Sequence, residues 1–263
     1  MATNHRLWTR DELIIAFNLY CKIPFGQIDA RNSAVIALAD VLGRTPASLS
    51  WKLANFARLD PALQARGIKG ASHGSKGELT VWEEFNNNWD SLAFESERLL
   101  ANLTKQSVEE MNGLKEDDLP KDGIERERIV KVRVNQRFFR TTVLTSYASR
   151  CCITGLAIPM LLSASHIAPW AKDPNNRMNP RNGLCLNLLH HKAFDAGLIT
   201  ITPEFRVRIS ASLATSITSV QTNSSLHGMT TNSPSFRAAF CLIHRYWNGT
   251  TKPSLFREHL VRL

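Results

Sequence analysis

Residues 165–201 read SHIAPWAKDPNNRMNPRNGLCLNLLHHKAFDAGLITI, and this stretch constrains the fold more than any other. Short apolar runs are set off by Pro, Asn and Gly, the punctuation of short strands and tight turns. Just upstream, "CCITG" (151–155) and "LLSASHI" (161–167) read as two strands paired around a turn at Pro159. "APWAKDPNNRMNPRN" is then a long loop and "GLCLN" a strand or extended entry. "LHHKAFDAG" is a short helix with Gly197 as its C-cap. "LITI" and "RVRIS" close as a hairpin, so the outline is β-β-α.

The first half of the chain has a different pattern. Residues 8–22 form an amphipathic helix, with Thr9 as N-cap and Glu12 as its capping-box partner. An apolar helix over Ala34–Leu42 ends at Gly43, and Thr45 caps a second helix with Pro46 at its first position. Two helices joined by a tight Gly turn read as a helix-turn-helix or an ordinary helical hairpin. The second helix is expected to turn Ser48, Lys52, Asn55 and Arg58 to solvent, where they could meet DNA. Residues 65–80 are a flexible basic loop, and 80–112 hold two more helices carrying Trp82 and Trp89. The acidic stretch 109–122 marks a boundary. The expected organisation is a helical domain over 1–112, an acidic linker over 113–123 and a second domain over 124–263, in an α+β fold.

Charge bears on partners. The net charge is +9 and the isoelectric point about 9.6, a balance that favours polyanions, nucleic acid above all. Residues 124–150 concentrate it: Arg133, Arg137 and Arg140 lie among apolar residues at helical spacing, and the excess of Arg suits bidentate phosphate contact. The five cysteines are scattered without a CxxC pair, unlike a disulfide scaffold or a four-cysteine zinc site, so no structural zinc is expected. No apolar run is long enough to cross a membrane and the N-terminus has no apolar leader core, so the expected location is the cytoplasm.

The words ITG…SHIAPW…NPRNGLCLNLLHHKAFDAGLITI resemble the HNH endonucleases, the ββα-metal nucleases, most closely their bacterial restriction-type branch. His166, Asn182 and a later His stand in order at suitable spacing, and the likeness covers roughly residues 130–201. The resemblance implies a metal-dependent DNA endonuclease of restriction or defence type. In it His166 is the general base, which an ordinary imidazole pKa near 6.5 suits. Asn182 bonds across the long loop and holds His166 in orientation; an Asx-turn role before Gly183 is compatible with that. His191 stands nine residues after Asn182 and is the favoured metal ligand, with His190 kept open.

One departure from the family matters. Ser165 occupies the position where many relatives carry a metal-binding Asp. Either Ser165 binds through water, or Asp195 contributes, or the metal is held loosely. Few protein ligands suit Mg²⁺, or Mn²⁺, with water and substrate phosphate completing the shell. Double-stranded DNA is the expected partner. Lys52, Arg58, Arg133, Arg137, Arg140, Arg177 and Arg181 are its candidate contacts. Cutting both strands needs two sites or two events, which makes a homodimer plausible. Two other readings stay open. One is a DNA-binding protein with a degenerate HNH fold, which Ser165 keeps alive. The other is an RNA-directed nuclease, which ranks lower because no stack of base-binding aromatics is evident.

Overall fold

The computed structural model describes residues 6–65, 67–68, 74–173, 176–202 and 206–213. The chain divides into two compact units, Met1–Thr142 and Val143–Leu263.

The first unit is helical: α1 (Arg10–Lys22), α2 (Ser33–Val41), α3 (Pro46–Leu59), α4 (Pro61–Gln64), α5 (Lys76–Phe85), α6 (Trp89–Thr104), α7 (Val108–Met111) and most of α8 (Gly123–Ser146). Thr9 caps α1 in a full capping box with Glu12. A Gly43 turn at φ +60° leads to Thr45, which accepts from Ser48 N–H at the start of α3. The α1 helix packs against α3, α5 and α6, and Phe17 at its centre is fully buried. Its ring lies 4.9 Å from that of Phe56 and 5.2 Å from that of Trp82. Burying each such aromatic contributes about 1.5–3 kcal/mol.

Three expectations are revised here. The expected flexible loop over 65–80 lies partly outside the described residues, and its end is already helical. The α5 helix starts at Lys76 because Ser75 and Glu78 form a capping box. The polar residues of α3 do not all face solvent. Asn55 is buried and donates to Glu78 Oε1 at 2.9 Å, and Lys52 pairs with the same carboxylate. These two residues flank the apolar stripe Leu49, Leu53 and Phe56, so the buried Glu78 of α5 can recruit both as donors. Last, the acidic stretch is folded. Glu109 and Glu116 meet Arg126 at 2.9 and 3.4 Å, and the two compact units divide inside α8 at Thr142/Val143.

The second unit contains β1 (Leu162–His166), β2 (Gly183–Asn187), α9 (Leu188–Asp195), β3 (Ile199–Ile201) and β4 (Val207–Ile209). Antiparallel β1 and β2 pair with Ser165 opposite Leu184 and His166 opposite Gly183; β3 pairs with β4. The α9 helix packs on β1, β2 and β3. Asn187 caps it by accepting from His190 N–H at 2.8 Å, and Gly197 at φ +70° ends it.

The strand pairing corrects the expected one. "CCITG" is a turn, not a strand. Gly155 sits at φ +74°, a conformation open to glycine, and its N–H reaches Cys151 O at 2.8 Å. The partner of β1 comes from beyond the long loop, as "GLCLN". The turn is still attached to that sheet, because Cys152 N–H donates to Cys185 O at 2.8 Å. Residues 214–263 of the expected second domain, Cys241 among them, lie outside the described residues.

Candidate active site

Three local devices bring His166, Asn182 and the His pair together. The first is the strand end. His166 closes β1, and its ring Nε2 lies 2.9 Å from the carbonyl oxygen of Arg177. A carbonyl only accepts, so Nε2 carries the proton and the neutral ring keeps its lone pair on Nδ1. Burial pushes the His166 pKa below its ordinary value; the Arg177 carbonyl and Asp195 pull it up, and His191 adds to the lowering. His166 is therefore neutral at physiological pH.

The second device is the loop staple. Asn182 is buried, and its Oδ1 accepts from Ala168 N–H at 2.7 Å. Its Nδ2 donates to the carbonyls of Ala168 and Asn176, each at 3.3 Å. Its own carbonyl accepts from Ile167 N–H at 2.9 Å. One residue thus satisfies backbone groups on both arms of the loop, next to His166. That is more than an Asx turn before Gly183.

The third device is the face of α9. His191 Nδ1 lies 2.6 Å from Ser165 Oγ, and its Nε2 lies 3.5 Å from Asp195 Oδ2, one turn on. Ser165 is fully buried, so it sits behind His191. His190 points elsewhere, as adjacent helical residues must, and its Nδ1 lies 3.7 Å from Cys151 Sγ. Burial pushes the Cys151 thiol up, but bonds from His190, Thr154 and nearby backbone amides outweigh it and bring the thiol to about 6.

The donor set can be tested against a cation. His191 Nε2 and Asp195 Oδ2 form one mixed imidazole–carboxylate pair. Among the described residues, no three His, Cys, Asp or Glu side chains group as metal ligands. A pair of this kind fits a divalent ion that keeps most of its shell as water and phosphate oxygens.

Residues 151–202 match the HNH endonuclease family model. The match covers about a fifth of the chain and contains every residue of the site just described. Neither the curated proteins nor the solved structures contain a match to the chain. A match to an HNH endonuclease domain suggests nuclease-type chemistry in general.

The expected DNA contacts divide. Arg133, Arg137 and Arg140 are exposed and share one face of α8, with Arg137 also donating to Met111 O at 2.8 Å. Lys52 is engaged by Glu78, and Arg58 is half-buried with its Nε enclosed and unbonded. Arg181 lies in the short turn leading into β2. Arg177 Nε donates to Trp170 O at 2.6 Å, and its guanidinium stacks 5.2 Å from the Trp170 ring. Sequence reasoning missed three features: the Cys151–His190 contact, Ser165 as the partner of His191, and Trp170 beside the His166 ring. Only the last had a visible signal, an aromatic four residues after the candidate base. No described helix is long and apolar enough to cross a membrane.

Proposed function

We propose that this protein is a metal-dependent endonuclease that hydrolyses phosphodiester bonds of double-stranded DNA. One observation carries the reading. Within the matched segment, His166 has its Nε2 proton committed to the Arg177 carbonyl at 2.9 Å, which leaves Nδ1 as its accepting nitrogen. Nδ1 of His166 is then the atom that takes a proton from the attacking water. Asn182 keeps the loop from shifting that ring. His191 and Asp195 would hold the cation, with Mg²⁺ the first candidate and Mn²⁺ the second. For His191 to offer Nε2, its Nδ1–H donates to Ser165 Oγ, so Ser165 orients the ligand instead of replacing an Asp. When bound, the cation stabilises charge on the scissile phosphate. Exposed arginines of α8 supply sequence-independent phosphate contact. A restriction or defence role rests on the resemblance, and a second copy for double-strand cutting on the need for two cuts.

The test is nicking of supercoiled plasmid with Mg²⁺ or Mn²⁺, with and without chelator, and with RNA in parallel. Metal-dependent nicking of DNA that His166→Ala loses supports the reading. A second reading, a DNA-binding protein with little or no activity, draws on Ser165: where relatives place a carboxylate, this chain buries a hydroxyl. DNA binding without nicking under every metal would favour it.

A further inference from the structure

His166, Trp170 and Arg177 close a cycle of three contacts. His166 Nε2–H donates to the Arg177 carbonyl at 2.9 Å. The Arg177 guanidinium lies 5.2 Å from the Trp170 ring centroid, and its Nε donates to the Trp170 carbonyl at 2.6 Å. The Trp170 ring in turn meets the His166 ring edge-on, with centroids 5.3 Å apart and planes at 82°. Each residue touches the other two, so an imidazole rotation breaks at least one contact. A single bond to the carbonyl would fix only one nitrogen; the indole fixes the ring plane as well. Trp170 is 37% exposed, more than a purely structural core aromatic would be.

We propose that Trp170 and Arg177 are positioning residues that hold the His166 imidazole in one rotamer and one tautomer for proton abstraction. Trp170 acts on the ring plane. Arg177 supplies the carbonyl that fixes the tautomer and clamps the indole that fixes the plane. Its guanidinium therefore acts through Trp170, whatever it does toward phosphate. The proposal rests on the nuclease reading above for its catalytic consequence, but the geometry of the ring can be measured without cleavage.

Long-range ¹H–¹⁵N spectra of histidine-labelled protein read the tautomer and the protection of the His166 Nε2 proton. The wild type, Trp170→Ala, Trp170→Phe and Arg177→Lys are compared. The expected result is a protected Nε2 proton in the wild type, lost or averaged in Trp170→Ala and retained in Trp170→Phe, whose ring keeps an aromatic face. In plasmid nicking, Trp170→Ala lowers kcat about ten- to a hundredfold with KM unchanged, the order of loss expected from a misplaced catalytic group. Trp170→Phe restores most of it. Arg177→Lys keeps the charge but not the planar stack, and it follows Trp170→Ala in kcat. An Nε2 signal unchanged in Trp170→Ala overturns the proposal, as does an Arg177→Lys variant that raises KM alone, the mark of a phosphate contact. A wild type that cleaves no nucleic acid, with the spectral loss still seen in Trp170→Ala, overturns the nuclease reading and supports the cycle. Should Trp170→Ala fail to fold, Trp170→Phe and Arg177→Lys carry the same comparison.

Discussion

Glu78→Gln is the substitution whose cost can be worked out most fully. Glu78 is fully buried, and its two oxygens face four donors. Lys52 Nζ and Asn55 Nδ2 meet Oε1, while Ser75 N–H and Oγ meet Oε2. Burial raises the carboxyl pKa, but Lys52, Ser75 and Asn55 outweigh it and hold the group at about 2 against 4.5. At about 1.4 kcal/mol per unit this difference is worth about 3 kcal/mol at neutral pH. The sign follows from the direction. A depressed folded pKa stabilises above the unfolded value, so the contribution is whole above about pH 5 and is lost as pH falls towards 2. The amide is nearly isosteric, yet one of its ends becomes a donor facing donors, and Lys52 loses its counter-charge. Breaking a buried pair in this way typically costs about 3–5 kcal/mol.

Native-state hydrogen exchange of α3 and α5 amides reads this unit by itself, and urea unfolding gives the total. At pH 7, Glu78→Gln is expected to reduce the opening free energy of these helices by about 3 kcal/mol. The gap from wild type should narrow as the pH is lowered through 4 towards 2. A loss under about 1 kcal/mol at pH 7, or a gap independent of pH, would refute the argument that the carboxylate charge is what Lys52 and Asn55 serve.

Three further outcomes follow from the second unit and from α8. Because burial lowers the His166 pKa, the acid limb of cleavage is expected below pH 6.5, and His166→Ala loses about a hundred- to ten-thousandfold in rate while binding DNA as before; a limb at or above 6.5 would contradict this. Removing Arg133, Arg137 and Arg140 together should weaken binding to all sequences alike and flatten log K against log salt by roughly 0.9 for each phosphate no longer neutralised; an unchanged slope assigns them to solvent. His191→Ala should lose the Mg²⁺ response and recover part of it in Mn²⁺, whereas His190→Ala, which frees Cys151, should keep the metal response and cost stability; a metal titration of nicking that singles out His190 instead reverses the assignment.

What the sequence made legible was local. The caps at Thr9 and Thr45 and the stop at Gly197 each depend on residues within one turn, and each appears in the structure where it was read. The order His166, Asn182, His191 was legible for the same reason: nearly all of its geometry closes within 26 residues. What failed was pairing at a distance. "CCITG" has the composition of a strand, but a glycine at positive φ folds it back, and β1 takes a partner across a loop that Asn182 staples. Lys52 and Asn55 looked solvent-facing because their partner Glu78 stands more than twenty residues away.

The surroundings of Ser165 follow from its place in the strand. Successive side chains along a strand turn different ways, so Ser165 and His166, the last two residues of β1, meet different partners. His166 turns to the loop carbonyl of Arg177, and Ser165 turns to α9 and meets His191. Whatever occupies position 165 therefore faces the helix beside the proposed cation. An aspartate there would bring a charged oxygen next to His191 Nδ1. A serine brings a small hydroxyl that can be fully buried and can accept the Nδ1 proton, leaving Nε2 as the outward nitrogen beside Asp195. On the proposed reading, Asp195, one turn after His191 on α9, would supply the carboxylate that position 165 lacks.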